Sequence, residues 1–426
     1  MHPNILCFIL IGIIVHKSIV IISFGYSSND DFTLTAVAPR STQWRLVTLT
    51  ILVLLLPFAA YQRNYERSDQ SSNNYFRNYA LSILEPLPAN SLLLSNYDQQ
   101  WTSIRYMQEC EGVRRDVTSI NPSMMTFEWW KTKRVLYGNV SFPGTHYTKE
   151  NTLPWLNGGF TFFEFIDANV EEFGSNIFIG GHYNFEDSLF DKKYEEEPFG
   201  LVRKIRPASA VVSAESFRSK SLLAWKNIAR HLSCDLPRKD KYPPSTWEST
   251  INMEFFHHLV SRATYLLDLA LKENERTTKT TAAGVLPSIA EAAAWLEFAS
   301  AWENDLAQQS SMKKNLGLAY MNIVRSKESG GFPYVEDIFG VNTNGTWIDK
   351  GTTGGICEGL RKHYSRNWWT KSNKVGDGDW KGWATTRWRE EWEMFLGLEP
   401  SKADPSYAQI KSIYTAVMKS SQAKTK

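Results

Sequence analysis

An uncharged apolar stretch, Leu46 to Tyr61, is the feature that most constrains this chain of 426 residues. A helix needs about 20 mostly apolar residues to cross a bilayer core. The stretch is slightly shorter than that, and Arg45 and the polar residues 62–64 bracket it. We therefore predict a transmembrane helix over residues 45–62.

A second apolar stretch, residues 5–26, is a weaker candidate. His16 and Lys17 lie near its middle, and charged groups are costly at the centre of a bilayer. A secretory signal peptide has a basic region, a short apolar core and a small-residue cleavage site, and none of these three features is clear in this stretch. Residues 1–27 are thus a possible transmembrane helix, and residues 28–44 form the loop between the two.

Composition excludes several classes of protein. The formal net charge of the chain is +2. Its basic residues are scattered along the sequence, so they do not form the basic patch that is typical of a nucleic-acid-binding protein. The four cysteines show no C-x-x-C pair, which argues against a zinc module. The glycine-rich run 351–355 lacks the spacing of a phosphate-binding loop. We expect no metal, no cofactor and no nucleic-acid partner for this chain.

Strand and helix patterns alternate after the apolar stretch. Short apolar runs predict strands, and apolar residues at helical spacing predict the helices between them. Such alternation is typical of a small, open, mostly parallel sheet. We place this α/β domain at residues 72–207, with strands at 91–95, 116–120 and 176–181 and helices at 72–85, 101–111, 122–131 and 160–172.

Helical patterns dominate the rest of the chain. We predict a helical domain over residues 214–326, an irregular loop over 327–380, terminal helices over 381–418 and a disordered tail over 419–426. The spacing in 292–320 is similar to a tetratricopeptide unit. The fold-class prediction is a membrane-anchored α/β protein: one or two N-terminal transmembrane helices, the mostly parallel α/β domain and a tetratricopeptide-like C-terminal domain.

Few residues stand out as chemical candidates. Asp98 follows a predicted strand, where ligands gather in open α/β sheets; the alternative is a helix N-cap. Glu109, Glu111 and Glu128 are available for acid or base roles, or they lie on solvated helix faces. The turn 180–182 ends in a histidine that is either ligand-binding or structural.

Several blocks together resemble a known family. They are SIRYMQECEGVR at 103–114, DV at 116–117, MMTFEWW at 124–130, VSFPG at 140–144 and PSTWES at 244–249. In order and approximate spacing they are similar to the C-terminal half of the transmembrane protein 260 family. The resemblance covers roughly residues 61–247.

The resemblance implies a protein O-mannosyltransferase of the GT-C class in the endoplasmic reticulum membrane. Such enzymes transfer mannose from dolichyl phosphate mannose to Ser or Thr of receptor ectodomains. Membrane lipid and acceptor ectodomains would then be partners, and the soluble region would be lumenal. We expect substrate contacts from Asp98, Arg105, Glu111, Glu128 and Trp129, and glycosylation at the sequons of Asn139 and Asn344.

No catalytic residue can be assigned. The family keeps its catalytic acidic residues in the first lumenal loop, and this chain is expected to begin after that loop. The acidic pair in 29–31 precedes the last apolar stretch and does not match. The leading interpretation is a lumenal portion of the enzyme that helps to bind the acceptor. Its residues Trp101, Trp129 and Trp130 either contribute to the contact surface or pack in the core. The alternative is a non-enzymatic, membrane-tethered module whose helical domain binds a partner protein.

Overall fold

The structure, a computed structural model, forms two compact units, Met1–Asn74 and Tyr75–Lys426. In the first unit it describes only residues 55, 59–65 and 74, and the first two of these stretches are helical. In the second it describes residues 75–148, 158–181, 187–231, 242–276, 285–302, 306–325 and 380–423. The predicted span 5–26 and most of the predicted span 46–61 lie outside the described residues.

The fold-class prediction is wrong for the residues that the structure describes. These residues build a mostly helical protein with a small mixed sheet, whereas the prediction was an α/β fold with a mostly parallel sheet. Within the same ranges, every helix is too short or too polar to cross a bilayer.

The five-stranded sheet has the order β2-β1-β5-β7-β6. Its strands β1, β2 and β5 are parallel, whereas β7 runs antiparallel to β5 and β6 antiparallel to β7. The last two strands make the sheet mixed. The bounds are β1 Leu92–Ser95, β2 Thr118–Ile120, β5 Ile177–Gly180, β6 Tyr194–Phe199 and β7 Val202–Pro207; β3 His146–Tyr147 and β4 Gly159–Phe160 form a separate parallel pair.

Apolar side chains cover both faces of the parallel strands, as expected when helices pack on both sides. Leu93 and Phe178 belong to one core with the first two helices, and Leu92 and Ile179 belong to a second core on the other face. The helices of this half are α1 Tyr75–Leu84, α2 Asp98–Glu109, α3 Trp130–Lys133, α4 Phe162–Phe173 and α5 Ser188–Lys193.

Long helices make up the second half. They are α6 Ala214–His231, α7 Trp247–Arg276, α8 Val285–Trp302, α9 Leu306–Arg325, α10 Trp380–Gly397 and α11 Tyr407–Ala423. Their core is continuous with the α1/α2 face of the sheet. The hydroxyl of Tyr75 donates to Oδ1 of Asn252 at 3.0 Å, and Nε2 of Gln99 donates to the carbonyl of Trp247 at 2.9 Å. The predicted α/β and helical domains therefore pack together within one compact unit.

Two predicted boundaries differ from the structure. The predicted helix 122–131 is a 3₁₀ helix, Pro122–Thr126, followed by the short α3. Helix α11 continues to Ala423, so the predicted disordered tail begins too early. The predicted loop 327–380 lies outside the described residues except for its last residue, and the tetratricopeptide likeness stays a prediction.

Candidate functional site

The strand order makes the carboxyl ends of β1 and β5 the position where a ligand crevice is expected. From β1 the chain crosses through α2 to β2 on one side, and it later returns to β5 on the other side of β1. Such a reversal of strand order is the usual ligand position in open α/β sheets, at the carboxyl ends of the strands. We call this place the strand-end crevice and define it by Asn96, Tyr97, Ser123, Gly180 and Gly181.

Short contacts hold the crevice together. The backbone N–H of Asn96 donates to the carbonyl of Gly180 at 3.3 Å, which extends the β1/β5 pairing. Oγ of Ser123 donates to Oδ1 of Asn96 at 2.5 Å. Gly181 has a φ of +79°, and a Cβ there would lie 3.2 Å from Cβ of Tyr97. A glycine is therefore required where the chain leaves β5.

The floor of the crevice contains two buried polar side chains. Ser95 pairs with Gly180 in the β1/β5 register, and the amide of Gln100 packs against the Cα of Gly180. Among the described residues, Oγ of Ser95 and Oε1 of Gln100 have no hydrogen-bond partner. Buried acceptors without a partner are costly, so a ligand or water that donates a hydrogen bond would stabilise this floor.

A buried chain of polar groups supports the floor from behind. Nε2 of Gln100 donates to the hydroxyl of Tyr79 at 3.4 Å, and that hydroxyl donates to Glu254. Burial raises the pKa of Glu254, while the hydrogen bond from Tyr79 lowers it. The chain connects the crevice to helix α7, so the helical half of the molecule fixes the position of Gln100.

Arg203 brings a cation to the same edge of the sheet. Strand β7 is antiparallel to β5, so it begins where β5 ends, and Arg203 pairs with Ile179 in the register. Its Nη2 donates to the carbonyl of Gly181 at 2.5 Å, and its Nη1 donates to Oε2 of Glu196 at 2.6 Å. Burial raises the pKa of Glu196, against the lowering effect of Arg203.

A cavity of about 420 Å³ lies beside Arg203. Its carboxylates accept hydrogen bonds and its aromatic rings offer flat apolar faces, which suits hydroxyl-bearing groups. No set of side chains that could hold a metal ion occurs in the described part of the chain. The cavity is lined by Phe162, Asp187, Phe190, Asp191, Tyr194, Glu195, Glu196 and Arg203.

One of these carboxylates has a structural role. Asp187 is buried, and its Oδ1 accepts the backbone N–H groups of Leu189 and Phe190 at 3.1 and 3.2 Å, which caps α5. Its Oδ2 accepts the N–H of Phe163 at 3.0 Å in the first turn of α4. Asp187 thus joins two helix N-termini at the wall of the cavity.

Asp98 lies at the rim of the crevice. It is exposed and is the first residue of α2, whereas the N-cap is Tyr97, which makes no side-chain cap hydrogen bond. The alternative of an N-cap carboxylate is therefore wrong. A negative charge in the first turn is still favourable because the N-terminal end of a helix is partially positive.

Arg105 and Glu111 contact other parts of the surface. Nη2 of Arg105 lies 2.6 Å from Oε1 of Glu109, and its guanidinium lies 5.4 Å from the centroid of the Trp101 ring. Glu111 accepts from Nε of Arg77 at 3.0 Å, which ties the end of α2 to α1. Asp98 and Arg105 lie on the same side of α2, since seven residues make about two turns.

Glu128 and Trp129 belong to a surface segment, residues 127–137, which we call the aromatic loop. Glu128 is almost fully exposed and lies 3.7 Å from Nζ of Lys131. The exposed ring of Trp129 stacks on Phe127 with centroids 5.8 Å apart. Trp130 is buried and stacks on Tyr137 at 5.5 Å. Of the predicted aromatic surface, Trp129 is thus exposed and Trp130 belongs to the core.

Asn139 of the first sequon is exposed in a turn, and its Nδ2 donates to Oγ1 of Thr118 at 3.1 Å. The second sequon at Asn344, the acidic pair in 29–31, the histidine at 182 and the glycine-rich run 351–355 lie outside the described residues.

Sequence reasoning missed Ser95, Gln100, Ser123 and Arg203. The sequence gives no distinctive signal for Arg203, because it lies among other charged residues in VRKIRP. Ser123 follows the proline at a predicted helix start. That position indicated a role in beginning the helix and not a role in binding a ligand. The sequence signal that could have identified some of these residues is that polar residues follow two successive predicted strands.

The segment that carries the crevice matches a known family. Residues 76–150 match the model described as TMEM260-associated domain 2, and these residues supply α1, β1, α2, β2 and the aromatic loop. This match agrees with the resemblance to the TMEM260 family that the sequence blocks indicated.

Two relatives extend this likeness. The chain is 30% identical over 272 residues to "Protein O-mannosyl-transferase tmem260" of Dictyostelium discoideum, covering 63% of this chain and 31% of that protein. It is 30% identical over 220 residues to "Protein O-mannosyl-transferase TMEM260" of Mus musculus, covering 50% of this chain and 29% of that protein. The aligned region thus spans less than a third of either relative. No solved structure matches the chain.

Proposed function

We propose that this chain is part of a protein O-mannosyltransferase and that its described region binds the acceptor polypeptide. The supporting observation is that the family-matched residues 76–150 build most of the strand-end crevice. Both relatives carry the name protein O-mannosyl-transferase. The donor we propose is dolichyl phosphate mannose, and the acceptors are Ser or Thr side chains of membrane or secreted proteins.

The polar groups of the crevice suit an acceptor chain. Asn96 and Ser123 offer amide and hydroxyl groups, and Oε1 of Gln100 is a buried acceptor without a partner among the described residues. A polypeptide that carries hydroxyl and amide donors matches this set. Arg203 is already engaged by Gly181 and Glu196, so it fixes the crevice and leaves recognition to the neutral groups.

We place the base for the transfer step outside the described region. Transfer to a hydroxyl needs a carboxylate within hydrogen-bond reach of the acceptor and a site for the phosphate leaving group. Asp98 is exposed at the rim of the crevice, where water screens it and little fixes its position. The described region then acts by positioning the acceptor.

We further propose that this region faces the lumen of the endoplasmic reticulum. The exposed turn of Asn139 supports this location, because a sequon is usable only where the glycosylation machinery can reach it. Expression in cells, followed by glycosidase treatment and mapping of Asn139, tests the location. A glycan at Asn139 that disappears in Asn139→Gln is expected, and a bare Asn139 on the mature chain would contradict a lumenal position.

The activity is tested in cells that lack their own TMEM260-family enzyme. We expect O-mannose to be absent from Ser and Thr of their cell-surface proteins when this chain is expressed alone. The same chain should bind an ectodomain purified from those cells. Restored O-mannose with this chain alone would overturn our placement of the base. Failure to bind any such ectodomain would overturn the acceptor-binding role.

A further inference from the structure

The aromatic loop exposes an unusual amount of apolar surface. The exposed fractions are 53% for Phe127, 47% for Trp129, 74% for Val135 and 73% for Leu136. Four large apolar side chains within ten residues form more apolar surface than the scattered single residues of an ordinary protein surface. Such a patch marks an interaction site.

The fold holds these side chains outward. Trp130 is buried in the second core, stacks on Tyr137 and lies 6.0 Å from the ring of Phe142. The segment also contains two short helical turns, Trp130–Lys133 and Arg134–Leu136. Nη1 of Arg134 donates to the carbonyl of Gly144 at 2.7 Å, which fastens the second turn. The exposed residues are thus fixed on an anchored segment.

Basic residues are interspersed with the apolar ones. Lys131, Lys133 and Arg134 lie between Trp129 and Val135, against one acidic residue, Glu128. The side chain of Lys133 is exposed and makes no hydrogen bond or ion pair with the residues that the structure describes. The ion pair of Lys131 with Glu128 is long and exposed, and such pairs contribute little.

This combination distinguishes between two kinds of partner. Lysine is depleted at the centres of protein–protein interfaces. Membrane interfaces instead combine Trp with other apolar side chains, and lysines beside them contact lipid phosphates. Because Lys131 and Lys133 stand within the patch, the composition favours a bilayer over a protein partner.

We propose that the aromatic loop is a peripheral docking surface for a bilayer that contains anionic lipid. Phe127, Trp129, Val135 and Leu136 enter the headgroup region, and the lysines contact phosphate groups. The contact requires no membrane-spanning helix, and it goes beyond acceptor binding at the strand-end crevice. Each lysine near an anionic surface is expected to strengthen binding by about fivefold.

The test uses the full chain and reads the loop itself. An environment-sensitive dye is attached at Leu136→Cys, or at Val211→Cys as a matched exposed control (85% exposed), in chains whose native cysteines are changed to serine. The probes are vesicles of phosphatidylcholine alone or mixed with phosphatidylserine. We expect the dye at 136 to shift to the blue and become shielded from a soluble quencher, mainly with the mixed vesicles. The dye at 211 should remain quenched.

Two variants separate the apolar and electrostatic contributions. Phe127→Ser with Trp129→Ser should weaken the vesicle response of the dye at 136 by about tenfold or more. Lys131→Glu with Lys133→Glu should abolish the preference for mixed vesicles. Leu223→Ser, at an exposed apolar residue of α6, should leave the response unchanged. A circular dichroism melt of each variant confirms folding.

Any one of four outcomes would overturn the proposal. The dye at 136 remains accessible to the quencher on all vesicles, or it responds no more than the dye at 211. Alternatively, the folded Phe127→Ser, Trp129→Ser chain responds like the unmodified chain. Burial of the dye at 136 by a protein partner, without any response to vesicles, would equally assign the loop to a protein interface.

Discussion

The side-chain amide of Gln100 occupies the space that a Cβ on Gly180 would need. This contact joins the first turn of α2 to the end of β5 at the reversal of strand order. It also explains why a glycine ends β5, because any side chain there would displace the group that forms the floor of the crevice.

Gly180→Ala should destabilise the protein by about 1–3 kcal/mol, because the added methyl overlaps Gln100 in a packed site. Chemical denaturation of the purified chain measures this change. Gly138→Ala is the matched control, since nothing lies within 4 Å of its Cβ. Combining Gly180→Ala with Gln100→Ala should recover part of the loss, because the two residues are in contact. Strictly additive effects would argue against the contact.

The buried pair of Arg262 and Glu291 should be costly to break. Nη2 of Arg262 lies 2.5 Å from Oε1 of Glu291, and both side chains are almost inaccessible to water. Arg262→Met should lower the free energy of unfolding by about 3–5 kcal/mol, because it leaves a buried carboxylate with one distant partner. The double variant Arg262→Met with Glu291→Leu should lose less unfolding free energy than Arg262→Met alone.

An exposed pair on α7, the helix that also carries Arg262, provides the comparison. Lys272 and Asp268 lie 2.7 Å apart on the surface of α7, and such pairs contribute about 0.3–0.5 kcal/mol. Lys272→Ala should therefore have little effect in the same denaturation experiment. A loss from Arg262→Met no greater than that from Lys272→Ala would contradict the burial of the pair.

Glu254 should give the stability a specific pH dependence. Burial raises the pKa of Glu254 above its ordinary value of 4.5. Between pH 4.5 and the raised pKa, the folded state therefore holds a proton that the unfolded state has lost. Stability from this group is therefore lost as the pH rises through that window. Relative to the unmodified chain, Glu254→Gln should gain stability from pH 4.5 upward and level off above the raised pKa.

Unfolding free energies measured at a series of pH values test this prediction. A difference between Glu254→Gln and the unmodified chain that is constant with pH, or that decreases as the pH rises, would contradict the raised pKa.

The sequence predicts the parallel part of the sheet well. The predicted strands 91–95, 116–120 and 176–181 correspond to β1, β2 and β5. Strands β1 and β5 are recognisable because each is a short, mostly apolar run that is buried on both faces. The helices at 72–85, 101–111 and 160–172 are also confirmed as α1, α2 and α4. Thr161 and Glu164 begin α4 with a reciprocal capping box, a local signal that needs no tertiary context.

The hairpin β6–β7 could not be predicted in this way. Its strands read YEEEPF and VRKIRP, with many charges and prolines that are depleted in strands. Ion pairs across the two strands, such as Arg206 with Glu195 and Glu197, compensate for these charges. Since the hairpin supplies Arg203 and much of the cavity, the mixed sheet and half of the candidate site depend on tertiary contacts.

The predicted site residues illustrate the same limit. Asp98 could be proposed from the sequence because a position after a strand is a local property. Gln100 was missed because its importance depends on Gly180, which lies on a strand distant in the sequence. Arg105 and Glu111 are engaged in ion pairs with Glu109 and Arg77, and only the packing of α1 against α2 reveals the second of these pairs.

The affinity of the chain for an acceptor ectodomain tests the account most directly. The probe is a cell-surface ectodomain that loses O-mannose when a cell's TMEM260-family enzyme is deleted, purified unmodified from the deleted cells. Asn96→Ala with Ser123→Ala should weaken binding by roughly tenfold, since about two hydrogen bonds are removed. Thr386→Ala, at an exposed hydroxyl of α10, should bind like the unmodified chain. Equal affinity of all three chains would contradict acceptor binding at the strand-end crevice.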